Sequence, residues 1–267
     1  MKENVDWFPT PGESPADPMK AARHAMRPPL PKRFYERASV EERDGAFALT
    51  LDGRVARTPA RRLLAVPNRA LGEAIAAEWA AQGVEIDPAG MPLTRLMNSA
   101  LDGVADQRQA VLDDLVRYVG SDLLCYRAGE PERLARQQGA IWDPILDWAR
   151  ESLDARFVLS EGVMHVDQPA TTLAAVRTRA ERVNSPFGLA ALHVMTTLTG
   201  SVLLALATAR GRLTPEEAWS AAHVDERFQE SIWGQDADAM VRRLAREAEF
   251  RAACTAYLLV DGPPQAR

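Results

Sequence analysis

The sequence predicts an α+β fold, with a small antiparallel β-rich N-terminal domain carrying helices, followed by a mostly α-helical C-terminal domain. Three observations carry this reading. Two Asp-Gly pairs, Asp44-Gly45 and Asp52-Gly53, punctuate short alternating runs. From Pro92 onward, apolar residues recur at helical spacing almost to the end. The chain has 267 residues, 46% hydrophobic and 26% charged, the profile of a globular protein with room for one large domain or two ordinary ones.

Taken in order, residues 1–31 are polar and proline-rich with little periodicity, and read as an extended or disordered arm. Trp7 and Phe8 are unusually apolar for such an arm, and two readings stay open, docking on the body or solvation with the rest of the arm. Residues 32–104 form the β-rich domain. Phe47, Leu49 and Leu51 alternate with Ala48 and Thr50 between the two Asp-Gly pairs, which is the pattern of successive hairpins. A further strand falls near residues 63–66. Asn68 can cap a helix with Leu71, Ile75 and Trp79 on one face, ended at Gly83. Residues 92–104 make the next helix.

Residues 105–262 form the helical domain. A helix is expected over 106–119, then a short connection over 121–128. Glu130-Pro131-Glu132 opens another helix, striped by Leu134, Ile141, Ile145 and Trp148. Pro144 should break it unless Asp143 caps a new helix there. A helix follows over 168–183. Residues 183–209 carry no fixed charge and are long enough to span a membrane, but their threonines, Asn184 and His193 favour one central helix enclosed by others. Thr214-Pro215-Glu216-Glu217 reads as a capping box opening a helix with Trp219, Val224 and Phe228. After Trp233-Gly234 comes a last helix with Met240, Val241, Leu244, Ala245 and Ala248 on one face.

Motifs for chemistry are absent from this sequence. No glycine-rich phosphate loop, nucleophile elbow or HExxH occurs, and Cys125 and Cys254 show no zinc spacing. No catalytic residue, metal site or cofactor is expected. A Cys125–His193 nucleophilic pair is conceivable, without support from spacing. Acid pairs such as Asp113-Asp114 read as solvated helix faces. The net charge of −5 disfavours nucleic acid as a partner. The N-terminus lacks a secretory signal, and a bacterial cytoplasmic location without membrane insertion fits.

The stretches "PKRFYERASV", "LDGRVARTPARRLLAVP", "LGEAIAAEWAAQ", "IDPAGMPLTRLMNSALDGV", "SDLLCYRA" and "WDPILDWA" appear in order. Together they resemble the chaperone family that assembles the catalytic head of F-type ATP synthase, over residues 31–259. The resemblance implies a non-enzyme without cofactor, a monomer binding the unassembled α subunit and shielding its subunit interface. It places a domain joint at Asp122, Tyr126 and Arg127, a cap at Asp143, and packing roles for Trp142 and Trp148. It also implies a functional acid after the Trp-Gly pair. Here this gives Trp233, Asp236 and Asp238 as client-binding residues, with Asp238 favoured. Two other readings stay open at this point, an enzyme centred on Cys125 and a general peptide-binding adaptor.

Overall fold

The computed structural model describes residues 29–162 and 164–262. Trp7, Phe8 and most of the expected arm lie outside the described residues. The first unit is a small antiparallel sheet. Strands β1 (Ala38–Arg43) and β2 (Ala46–Leu51) pair from Ala38↔Leu51 to Arg43↔Ala46. Asp44 and Gly45 both take positive φ in the connecting turn, as do Asp52 and Gly53 before β3 (Arg54–Val55). Both Asp-Gly pairs therefore serve as the two-residue hairpin turns their chemistry suits. β4 (Ala65–Val66) pairs with the other end of β2.

The helix α1 (Arg69–Ala80) packs across β1 and β2, burying Leu71, Gly72 and Ile75. Asn68 caps it through Leu71 N at 2.9 Å. The helix ends at Ala80, before Gly83, so that glycine is not its terminator. α2 (Pro92–Ser99) runs on into a π-helical turn over Ala100–Val104, and α3 (Arg108–Gly120) follows. A 3-10 turn and strand β5 (Tyr126–Arg127) lead to α4 (Glu132–Trp148), which continues into a second π turn, Ala149–Leu153.

Here the structure corrects the sequence. Pro144 lies inside α4, and Asp143 does not cap a new helix. The missing proline N–H falls on the exposed face, while Leu134, Gln138, Trp142, Ile145 and Ala149 bury the opposite one. Packing along that buried stripe holds the helix through a local breaker. Trp142 is fully buried and donates to Ala221 O at 2.8 Å.

β6 (Ser160–Glu161) pairs in parallel with β5. α5 (Ala170–Glu181) lies against α3. The uncharged stretch is two helices, not the single one expected: α6 (Pro186–Thr199) and α7 (Val202–Ala209). Gly200 takes φ 68° and ends the first, and the Ser201 hydroxyl accepts from Leu204 N to start the second. Every residue of α7 is buried, and other helices surround the pair. No helix among the described residues is long and apolar enough to cross a membrane.

α8 (Pro215–Ala222) begins with the expected capping box, Thr214 with Glu217. It stops at His223, and α9 (Val224–Trp233) starts there, so Trp219 and Phe228 sit on separate helices. α10 (Ala237–Val260) closes the chain of elements and lies against α6, α8, α2 and α1. One hydrophobic core extends from Tyr35 beside the sheet to Tyr257 in α10.

Candidate functional site

The corner between α9 and α10 gathers apolar side chains that the core does not take. Gly234, with φ 85° and ψ 179°, makes the turn in a conformation open almost only to glycine. Asp236 then caps α10, its carboxylate accepting from Ala239 N at 2.7 Å. Asp238 follows in the first turn, exposed, where an acid suits the helix dipole. Around them Trp233 is 82% exposed, Val241 66%, Leu244 58% and Ile232 53%.

The start of α10 exposes apolar side chains beside charged ones. Val241 and Leu244 face solvent, while Arg243 is mostly covered and pairs with Glu230 of α9. Arg246 donates to Leu198 O at 3.1 Å. Arg251 pairs with Glu216 and Glu247. These contacts anchor the inner side of α10 to α6, α8 and α9 and leave the apolar side outward. The stripe expected from periodicity, Met240 to Ala248, is thus a surface feature. Soluble proteins rarely leave such clustered apolar side chains in water without use.

Asp122, Tyr126 and Arg127 lie elsewhere. Asp122 is fully buried. Its two oxygens accept from Leu124 N and from Leu203 N, both at 3.1 Å, the second at the start of α7. Burial pushes its carboxyl up to about 6, against the lowering effect of those hydrogen bonds. Arg127 donates to Leu124 O at 3.0 Å and to Asp143 at 2.7 Å, and its guanidinium lies 5.1 Å over Trp142. The Tyr126 hydroxyl is 3.2 Å from His165 Nδ1. These partners all belong to residues 105–262: the three side chains tie the connection after α3 to α4, to the start of α7 and to His165. Contacts between the sheet unit and the helices run through α6, which packs on α2 and the π turn after it, and through α10: Asn68 Nδ2 donates to Leu259 O at 2.7 Å, and Arg95 pairs with Glu249 at 2.8 Å. The sequence carried no sign of these two pairs, each more than 150 positions apart.

Cys125 is completely buried, and burial with the Asp122 charge pushes its thiol up to about 12. His193 does not approach it in any hydrogen bond; its Nε2 lies 2.7 Å from Asp114. Asp113 pairs with Arg177 of α5. The acid pair therefore bridges helices as well as facing solvent. A buried, protonated thiol is a poor nucleophile.

Known proteins share this architecture. A family model described as ATP12 chaperone protein matches residues 32–150. The crystal structure of Atp12 from Paracoccus denitrificans has a TM-score of 0.79 and 41% identity, covering 86% of this chain and 98% of that one. The chain belongs to the ATP12 chaperone family. The Atu1473 protein of Agrobacterium tumefaciens is similar too, with a TM-score of 0.82 and 48% identity over 90% of each chain. The mitochondrial protein atp12 of Schizosaccharomyces pombe is 23% identical over 227 residues, 79% of this chain and 78% of the relative. An ATP12-type chaperone has two parts here, a sheet unit and a helical unit. Its exposed apolar corner is in the second, beyond the residues the family model matches.

Proposed function

We propose that this ATP12-family chain is an assembly chaperone for the catalytic head of F-type ATP synthase, and that it holds the unassembled α subunit through the α9–α10 corner. The observation that carries the reading is the exposed apolar group Ile232, Trp233, Val241 and Leu244, edged by Asp236 and Asp238. An apolar centre with a polar rim is the usual anatomy of a protein-binding patch, and an exposed tryptophan is a typical anchor. A free α subunit offers an apolar face that its neighbours cover in the finished head. Capping that face lowers the concentration of the aggregation-prone form. Release then follows from competition by the neighbouring subunit, without chemistry in the chaperone.

The test mixes the purified protein with isolated α and, separately, β subunits of its own ATP synthase, followed by size-exclusion chromatography with light scattering. Co-elution with α alone is the expected result. Failure to bind α overturns the reading. Binding to both, and to unrelated unfolded proteins, would point to a general adaptor instead.

A further inference from the structure

A second apolar surface lies at the opposite end of the sequence, beside the sheet. It is a cleft of about 570 Å³, walled by Phe34, Tyr35, Leu51 and Trp79, with Arg54 and Arg57 at its polar side. That volume is within the range of ordinary ligand pockets. Phe34 is 72% exposed.

The aromatic wall is fixed in place. Phe34 and Tyr35 meet edge to face at 5.4 Å, and Tyr35 and Trp79 lie 5.5 Å apart. The Tyr35 hydroxyl donates to Trp79 O at 2.7 Å, and Trp79 Nε1 donates to Thr94 at 3.2 Å.

The cleft also carries net positive charge. Asp52 is its acid, and that carboxylate is occupied by the backbone N–H groups of Glu36 and Arg37. Arg57 donates to a neutral carbonyl, Arg61 O, at 2.7 Å. The Arg54 side chain has no hydrogen bond or ion pair among the described residues. A fitting occupant combines aromatic side chains with an adjacent carboxylate.

We infer that the arm of this same chain supplies it: the segment Asp6-Trp7-Phe8 docks in the cleft, with its rings against Phe34 and Trp79 and its acid toward Arg54 and Arg57. Residues 1–18 bear Glu3, Asp6, Glu13 and Asp17 against one lysine, and Trp7-Phe8 is their aromatic pair. The described chain starts at Pro29, five positions before Phe34, so the tether begins within about 17 Å of the cleft. Phe8 lies 21 positions before Pro29, and a coil of that length would have a root-mean-square span of about 25 Å, enough to reach the cleft. Tethering at that length sets an effective concentration on the order of millimolar, so even weak intrinsic affinity suffices.

The experiment labels the full chain with 5-fluorotryptophan and reads the ¹⁹F spectrum, assigning the Trp7 resonance by its loss in Trp7→Phe. A Trp7 resonance displaced from the free-indole position is expected, independent of protein concentration. It should move back toward that position by at least half in Phe34→Ala and in Arg54→Glu, both surface changes. The other five tryptophan resonances report that each variant is folded. A Trp7 resonance at the free-indole position overturns the inference. So does a displaced one that ignores both cleft variants, which places Trp7 elsewhere, or one that depends on concentration, which makes the occupant a second copy. None of these readouts involves the α subunit, so the outcome is independent of the client proposal.

Discussion

The two halves of α10 have similar sequence character and opposite surroundings. The first half carries Met240, Val241, Leu244, Ala245 and Ala248, and leaves most of that stripe to solvent. The second half carries Phe250, Ala253, Cys254, Ala256 and Tyr257, all buried against the α6–α7 pair and its neighbours. Periodicity assigns residues to a face of a helix. It does not say what covers that face. The difference comes from where the helix lies, and the covered half serves stability while the uncovered half is available for binding.

The sharpest way to break the comparison is Phe250→Ala. Phe250 has no exposed surface and packs on Trp219 at 5.4 Å between ring centroids. Removing it should cost about 3–5 kcal/mol, read as a lower denaturant midpoint. A loss below about 1 kcal/mol would mean that the second half of α10 is not part of the cooperative core.

Much of the fold was legible for local reasons. Asp44-Gly45 and Asp52-Gly53 specify hairpin turns within two residues, and Thr214 to Glu217 specify a helix start within four. The errors came where local chemistry met long-range packing. Gly200-Ser201 is a helix stop and start, hidden inside a run without a single fixed charge. Pro144 is a breaker overruled by the buried stripe of α4. At the candidate site, Trp233, Asp236 and Asp238 could be picked out from the Trp-Gly pair, but the exposure of Val241 and Leu244 could not, because it depends on what α6, α8 and α9 leave uncovered.

The next effect concerns the support beneath the buried half. Asp122 ties the end of α3 to the start of α7, and both of its oxygens accept backbone N–H groups. Asp122→Asn sets an amide N–H against one of these donors, and should cost about 1–3 kcal/mol at pH 7. Its pH dependence has a definite sign. The folded carboxyl titrates near 6, above its ordinary value of 3.8, so the folded state holds the proton more tightly. The contribution is complete below the unfolded value and is lost as pH rises through 6. Lowering pH from 7 to 5 should therefore stabilise the native protein by about 1 kcal/mol relative to Asp122→Asn. Parallel stability–pH curves for the two proteins would refute this account of Asp122.

Gly200→Ala tests the same support with a smaller change. The residue stands at φ 68°, where a Cβ is strained, although the space beside it is open, with Leu123 Cβ 3.8 Å away. A cost of about 1 kcal/mol follows from backbone strain alone. A cost several times larger would mean that the α6–α7 turn tolerates no adjustment.

The smallest effect on stability should come with the largest on binding. Val241 and Leu244 are already in water, so truncating both to alanine removes little burial and should shift stability by less than about 0.5 kcal/mol. If the first half of α10 is the client surface, the same double variant should weaken α-subunit binding by tenfold or more, and Trp233→Ala should do so alone, as anchors at interface centres do. Calorimetric titration against isolated α, alongside a denaturation curve, separates the two quantities. Unchanged affinity in a folded double variant would remove the α9–α10 corner as the docking face and leave its exposure unexplained. Weakened affinity with unchanged stability would establish that one helix divides its apolar residues between holding this protein together and holding its client.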